Sequence, residues 1–262
     1  MNSSAVLEFR HVSFSRGPRL LLDRISFRIR RQEMVALVGP NGVGKTTLLK
    51  LAARLLPSAS GEILLQGKPL AGWHRRELPR AIALVPQELE IPFNFPVEEI
   101  VAQGRVPHQT LFSSGTPRDR HAVESALQAV DIVGLRHRFY SELSGGERQR
   151  VKIAIGLAQQ PEVMLLDEPT QHLDIGRQIE LITLLRRLNQ RGITILAAVH
   201  DLNLVAENFS SVIMLTPEPS WMAGPASEVM QPEQLARAFS VRTSALQRYF
   251  FTPVADPVAQ AW

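Results

Sequence analysis

The sequence predicts an α/β fold: a mainly parallel sheet with helices on both faces, an antiparallel edge region, and an inserted helical subdomain. Three observations predict it. Apolar runs such as Val163–Leu166, Thr194–Val199 and Ser211–Leu215 alternate with helical stretches (Gly146–Gln159, Gly176–Gln190), the pattern of strand–helix–strand units. Near the N-terminus, Val6–Phe14 and Ile25–Ile29 alternate apolar and polar residues, as antiparallel edge strands do. Between Gln87 and Tyr140 the periodicity becomes helical, which reads as an insertion.

Along the chain, Met34–Val38 is a buried strand that runs into Gly39-Pro40-Asn41-Gly42-Val43-Gly44-Lys45-Thr46 and then into the helical stretch Thr47–Leu51. This is G-x-x-x-x-G-K-T with a strand before it and a helix after it, the setting that a phosphate-binding loop requires. Its glycines let successive N–H groups point at one anion, and the helix start adds its unsatisfied amides and positive dipole end. Lys45 is expected to bridge the terminal phosphates of ATP or GTP, and the Thr46 hydroxyl to hold Mg²⁺.

Ala59-Ser60-Gly61 reads as a turn, Glu62–Leu65 as a strand, Glu77–Arg80 as a short helix and Ala81–Pro86 as a buried strand. The insertion opens on Ile91-Pro92-Phe93-Asn94-Phe95-Pro96 and has helical spacing at Val97, Ile100 and Val101. The polar loop Ser113–Arg118 follows, with an amphipathic helix over Pro117–Val133. Ala206–Phe209 is a short helical piece. From Pro217 the pattern weakens, with Glu233–Phe239 the only clear helix and Pro253–Trp262 a loose tail. The expected organisation is one domain over residues 1–250, with a core from 1–87 and 161–230, a helical subdomain over 88–160, and a C-terminal extension over 231–262.

Composition sets outer limits. With 262 residues, 45% hydrophobic and 21% charged, the chain is ordinary globular material. There is no apolar run of about 18 residues to span a membrane, and the opening MNSSAVLEFR has no hydrophobic signal core, so export is not expected. The absence of cysteine excludes disulfides and thiolate metal sites. A net charge of +4 suits phosphates, nucleic acid or an anionic surface without choosing among them.

Three further stretches narrow the chemistry. Val163–Leu166 ends in Asp167-Glu168: the first carboxylate is placed to reach the same Mg²⁺ as Thr46, the second to orient or deprotonate an attacking water. Leu143-Ser144-Gly145-Gly146-Glu147-Arg148-Gln149-Arg150 is a second anion-binding helix start, with Ser144 as N-cap and two glycines exposing amides. One nucleotide does not need two such sites in one chain, so the second makes sense for a nucleotide held by a partner copy. His200-Asp201 follows the strand Thr194–Val199, which puts the imidazole beside the ligand crevice of an open sheet.

These residues resemble the ATP-binding subunits of ABC transporters. LSGGERQR is similar to that family's signature sequence, and the order of phosphate loop, Gln87, signature, Asp167-Glu168, Leu173-Asp174 and His200 is the family's order, over roughly Val6 to Met230. The resemblance implies ATP and Mg²⁺ as cofactors and a head-to-tail dimer. Each ATP would lie between the phosphate loop of one copy (Gly39–Thr46 with Thr47) and Ser144, Gly145, Gly146 and Glu147 of the other. It further implies that Thr46, Asp167 and Gln87 hold the metal, that Glu168 is the general base, that His200 contacts the γ-phosphate and that Asp174 binds across the dimer. Two departures stand out. Arginine replaces the usual adenine-stacking aromatic in Phe14-Ser15-Arg16-Gly17, which predicts Arg16 as a weak adenine contact and Phe14 as a packed strand residue. Gln171-His172 replaces the commoner small pair before Leu173-Asp174.

With no membrane segment, the channel is expected to be a separate permease, as in bacterial importers, with a substrate-binding protein and with the ATPase peripheral on the cytoplasmic face of the inner membrane. Phe93–Val101, Gly104–His108 and His200–Asn203 look like segments of importers of iron–siderophore complexes, haem and cobalamin. Phe93 and Phe95 either face a membrane-protein helix or fill the subdomain core. Alternatives are a molybdate or divalent-metal importer, a lipid transporter, or an ATPase of DNA repair or translation. The last usually carries coiled coils, zinc-binding cysteines or duplicated nucleotide domains, none of which is in this sequence, and no nucleic-acid partner is expected.

Overall fold

A computed structural model describes residues 5–57, 60–91, 94–109, 115–244 and 246. The chain opens with a hairpin, β1 (Ala5–Arg16) and β2 (Arg19–Arg30), turned by Gly17-Pro18. There follow β3 (Met34–Val38), α1 (Lys45–Ala52), β4 (Ser60–Leu65), β5 (Lys68–Pro69), α2 (Leu78–Ala81), β6 (Ile82–Val85), α3 (Val97–Ala102), α4 (Pro117–Ala129) and α5 (Gly145–Ala158). After them come β7 (Val163–Asp167), α6 (Ile175–Gln190), β8 (Thr194–Ala198), α7 (Leu202–Asn208), β9 (Ser211–Leu215), β10 (Trp221–Pro225), α8 (Ala226–Val229) and α9 (Pro232–Phe239).

Two sheets result. The smaller one is antiparallel, ordered β2-β1-β4-β5, and the larger is ordered β10-β9-β3-β8-β7-β6, with every pair parallel except β10·β9. The central strands are buried along their whole length, which is why they read as continuous apolar runs rather than alternating ones. Within β3 the two faces still separate: Met34, Ala36 and Val38 join the core under α3–α6, while Val35 and Leu37 join the core shared with α1 and the antiparallel sheet. Because β3, β6, β7 and β8 run parallel, Gly39, Gln87, Glu168 and His200 all leave the sheet at one edge, where such sheets bind ligands.

The structure differs from the sequence reading in several places. Ser60 and Gly61 lie in β4, not in a turn; Gly61 has φ 77° and sits where the β1·β4 register slips between Arg10 and Ser13, so its turn-like composition marks a bulge. Ala59 lies outside the described residues. The helix begun at Pro117 is capped by Thr116 and ends at Ala129, not Val133. The helical piece expected at Ala206 starts at Leu202, because the Asp201 carboxylate accepts from the N–H groups of Asn203 (2.9 Å) and Leu204 (3.2 Å). Nothing in the residue pattern marks β10 or α8: Trp-Met-Ala-Gly-Pro has no strand periodicity, and only pairing with β9 makes it a strand.

The segment Gly104–His108 is explained by packing. Arg105 is fully buried; its Nε donates to Asp119 Oδ1 (3.0 Å) and its Nη1 to the carbonyl of Ala158 (2.6 Å), tying the turn after α3 to α4 and α5. Val106 beside it is 56% exposed. Phe95 is 40% exposed, so it does not fill a core, and Phe93 lies outside the described residues. The tail Pro253–Trp262 and residues 113–114 of the polar loop also lie outside them. No helix among the described residues is long and apolar enough to cross a membrane.

Candidate functional site

The loop Gly39–Thr46 leaves β3 in a conformation that needs glycine. Gly39 has φ 146°, and a Cβ there would meet the Leu215 carbonyl oxygen at 2.5 Å; Gly44, the N-cap of α1, has φ 117°. Lys45 opens α1, is only 4% exposed and folds back on its own loop. Its Nζ donates to the carbonyls of Gly39 (2.8 Å) and Pro40 (3.1 Å) and stands 4.0 Å from Glu168 Oε1. Burial pushes the ammonium below the usual lysine range, opposed by the charges of Glu168 and Asp167.

Thr46 Oγ1 donates to Asp167 Oδ1 at 3.1 Å, joining α1 to the end of β7. Burial pushes the Asp167 carboxyl above its ordinary range and Glu168 adds to this, while the Thr46 hydrogen bond works against it. Glu168, one residue on, has φ 50°, uncommon for a side-chain-bearing residue and of the kind that collects at functional sites. Its Oε1 is 2.5 Å from His200 Nε2, so two residues 32 positions apart meet at the ends of adjacent strands. A cleft of about 650 Å³ is lined by Lys45, Thr46, Thr47 and Glu168 and also by Phe14, Arg16 and Arg19. Phe14 also packs on the core beneath.

Gln87 follows β6. Its side-chain Nε2 donates to Gln171 Oε1, and its carbonyl accepts from Lys152 Nζ at 2.6 Å. Lys152 and Gln171 were not singled out as site residues. Lys152 lies on one helix face with no motif signal, and Gln171 stands out in the sequence only as a departure before Leu173-Asp174; the fold shows that both reach Gln87.

The second helix start is built differently. Ser144 caps α5 and forms a reciprocal box with Glu147: Ser144 N donates to Glu147 Oε2 (2.8 Å) and Glu147 N to Ser144 Oγ (3.4 Å). Hydrogen bonds from the Ser144 backbone and then its side chain hold the Glu147 carboxyl below the usual range and engage it in the cap. A Cβ at Gly145 would meet nothing within 4 Å, whereas one at Gly146 would touch Arg177. Asp174 likewise caps α6, accepting from Arg177 N at 2.9 Å. None of Ser144, Gly145, Gly146, Glu147 or Asp174 lines the cleft around Lys45.

A lysine folded into a glycine-rich helix start, a hydroxyl bonded to a strand-end aspartate and a glutamate paired with histidine together define a phosphate-loop nucleoside triphosphatase. The class narrows on comparison with known proteins. A profile of the ABC transporter family matches residues 22–171. The iron(3+)-hydroxamate import ATP-binding protein FhuC of Bacillus subtilis is 37% identical over 242 residues, spanning 92% of this chain and 89% of that one. The hemin import ATP-binding protein HmuV of Pseudomonas aeruginosa is 38% identical over 241 residues, 90% of this chain and 93% of that one. In three dimensions, CbiO1 of Clostridium perfringens, part of the ABC transporter complex cbiONQ, superposes with a TM-score of 0.77 at 30% identity, covering 94% of this chain and 98% of that one. The chain belongs to the ABC transporter family. It is an ATP-hydrolysing subunit whose hydrolysis is coupled to transport.

Proposed function

We propose that the chain hydrolyses ATP in a head-to-tail dimer with a second copy and uses closure of that dimer to energise import of a metal chelate (iron–siderophore, haem or cobalamin). A substrate-binding protein would deliver the chelate to the permease, with the ATPase on the cytoplasmic face of the bacterial inner membrane. The convergence of Lys45, Glu168 and His200 at one sheet edge carries the hydrolytic half of this reading. The names of relatives at 37% and 38% identity over at least 90% of the chain support the chelate. Residues 88–160 would move as the helical subdomain that carries Ser144–Gly146 to the partner's nucleotide.

The donor set suits Mg²⁺. Thr46 Oγ1 and Asp167 Oδ1 are hard oxygen donors 3.1 Å apart, and among the described residues no cluster of three or more His, Asp or Glu forms a protein-only cage. That matches a cation held by one or two carboxylates with phosphate oxygens and water completing the shell. Gln87 would be the third protein ligand, and the bound ion would supply neutralisation of phosphate charge. The chain's own groups do the rest. Loop amides and Lys45 take the phosphates, the ammonium exchanging its bonds to Gly39 and Pro40 for phosphate oxygens. Glu168 accepts a proton from water as the water oxygen bonds to the γ-phosphorus and the bond to the ADP oxygen breaks. His200, already against Glu168 Oε1, fixes that carboxylate and contacts the γ-phosphate.

A Glu168→Gln chain is expected to bind ATP, to elute as a dimer with ATP, and to lose turnover by about 100- to 10,000-fold. Hydrolysis at the wild-type rate in that variant would refute the assignment.

A further inference from the structure

The tip of the β1–β2 hairpin turns one face toward the phosphate loop. Gly17, at φ 59°, and Pro18 close that tip in two residues and set Arg16 directly opposite Arg19. Alternation along each strand puts Phe14 on the face of Arg16 and Leu21 on the face of Arg19, and all four line the cleft that holds Lys45, Thr46 and Thr47. The face is graded. Phe14 and Leu21, with Leu56 of the same cleft, are half-buried and apolar, whereas both arginines are exposed. Neither guanidinium has a hydrogen-bond or carboxylate partner among the described residues. Like charges opposite one another on a hairpin cost stability, so the pair suits a ligand that supplies acceptors.

A nucleoside triphosphate with its phosphates on Lys45 has this face of the same cleft left for its base. The apolar residues fit the ring of any base, so they do not choose. The arginines do. A guanidinium has five donors in a fixed fork and no acceptor. Guanine presents two adjacent acceptors, O6 and N7, which match that fork, while adenine sets a donor at N6 beside its N7 acceptor, and that donor meets another donor. One guanidinium lying on the ring leaves the other for the edge. We propose that Arg16 and Arg19 form a donor-only base subsite that takes guanine at least as well as adenine, making GTP a second substrate of this chain. Its hydrolysis follows the course given for ATP: water bonds to the γ-phosphorus, Glu168 takes the proton, and the bond to the GDP oxygen breaks. This inference rests on the reading of the cleft around Lys45 as the nucleotide site.

Affinities are read on the full chain without Mg²⁺, so that nothing turns over, by competition against ATP labelled on its ribose. GTP is expected to bind at least as tightly as ATP, and 7-deaza-GTP, which lacks the N7 acceptor, about 10-fold more weakly than GTP. The double substitution Arg16→Gln, Arg19→Gln offers amides, which match the paired acceptor and donor of adenine, and is expected to move the preference toward ATP by about 10-fold. Its melting temperature is expected to be no lower than wild type, because the opposed charges are gone. With Mg²⁺ present, kcat/KM for GTP against ATP should follow the same order. Tighter wild-type binding of ATP than of GTP, or equal binding of GTP and 7-deaza-GTP, would overturn the proposal. So would equal weakening of ATP, GTP and inorganic tripolyphosphate by the double substitution, which would assign the arginines to phosphate charge. If neither ATP nor GTP binds the wild-type chain, the cleft is not the nucleotide site and the inference falls with it; if ATP alone binds, the base subsite alone fails.

Discussion

The two helix starts, Gly44-Lys45 at α1 and Ser144-Gly145 at α5, offer the same backbone chemistry in opposite states of completion. The first is closed around its own side chain. Lys45 is buried, bonded to two carbonyls of its loop and 4.0 Å from a carboxylate. The second has its cap satisfied by Glu147 but leaves Gly145 facing open space. Glycine at position 39 is demanded by a contact inside the chain, the Leu215 carbonyl. Glycine at position 145 has no such neighbour, which fits a surface that something from outside must approach closely. The first start is thus closed by folding, whereas the second stays open, as the proposed head-to-tail dimer requires.

The largest expected effect tests the open end. Ser144→Arg should leave ATP binding near wild type and lower the melting temperature by only a few degrees, the cost of one helix cap, yet cut steady-state ATPase by about 100-fold or more, the cost of removing preorganised donors from a developing charge. ATPase unchanged by that substitution would make the second helix start a purely structural cap. Next, the two glycines should separate in stability. Gly39→Ala, with a Cβ 2.5 Å from a carbonyl oxygen at φ 146°, is expected to lower the urea-unfolding free energy by about 3 kcal/mol. Gly145→Ala should change it by under about 0.5 kcal/mol, and equal losses would erase the contrast.

A third expectation concerns the charge stored in the closed site. Burial raises the Asp167 pKa in the folded state above its unfolded value, so the folded chain binds that proton more tightly. The resulting stabilisation is present below the unfolded pKa and is lost as pH rises through the folded one. At pH 7 the ionised carboxylate is therefore a cost in the nucleotide-free protein. Asp167→Asn should raise stability there by on the order of 1 kcal/mol while removing Mg²⁺-dependent activity, a stability–function trade. The advantage should fade as the pH is lowered toward about 4. Calorimetry across pH checks both parts, and a destabilised Asn variant at pH 7 would contradict them. The smallest effect belongs to Arg16, which lines the same cleft. Stacking on adenine at an exposed place is worth about 0.5–1 kcal/mol, so Arg16→Ala should weaken ATP binding by only about three-fold; no change would remove it from the site.

The closed half was largely legible in the sequence, because its residues are consecutive in strand-to-helix units. Gly39–Thr46 and Asp167-Glu168 each sit at a strand end that apolar runs mark out, and a parallel sheet brings such ends together. The contact of Glu168 with His200 follows from β7 and β8 being neighbours, which alternation of elements suggests without stating. What was not legible depends on partners far away in sequence. Lys152 and Gln171 acquire roles only when α5 and the turn after β7 meet Gln87. β10 is a strand only because β9 offers it an edge, and Gly61 looks like a turn because a bulge and a turn ask the same thing of a glycine. Glu147 and Asp174 carried functional expectations from motif position, yet the fold engages both as helix caps.

The central claim is that each nucleotide site is completed by a second copy. It is tested most directly by mixing two inactive chains, Lys45→Ala, whose phosphate loop is broken, and Ser144→Arg, whose second helix start is broken. In a head-to-tail pair of the two, one site combines two broken halves and the other two intact halves. The mixture is expected to regain ATPase activity, far above that of either chain alone, in proportion to the mixed dimer. A mixture as inactive as its components, with mixed dimers demonstrably formed, would contradict it.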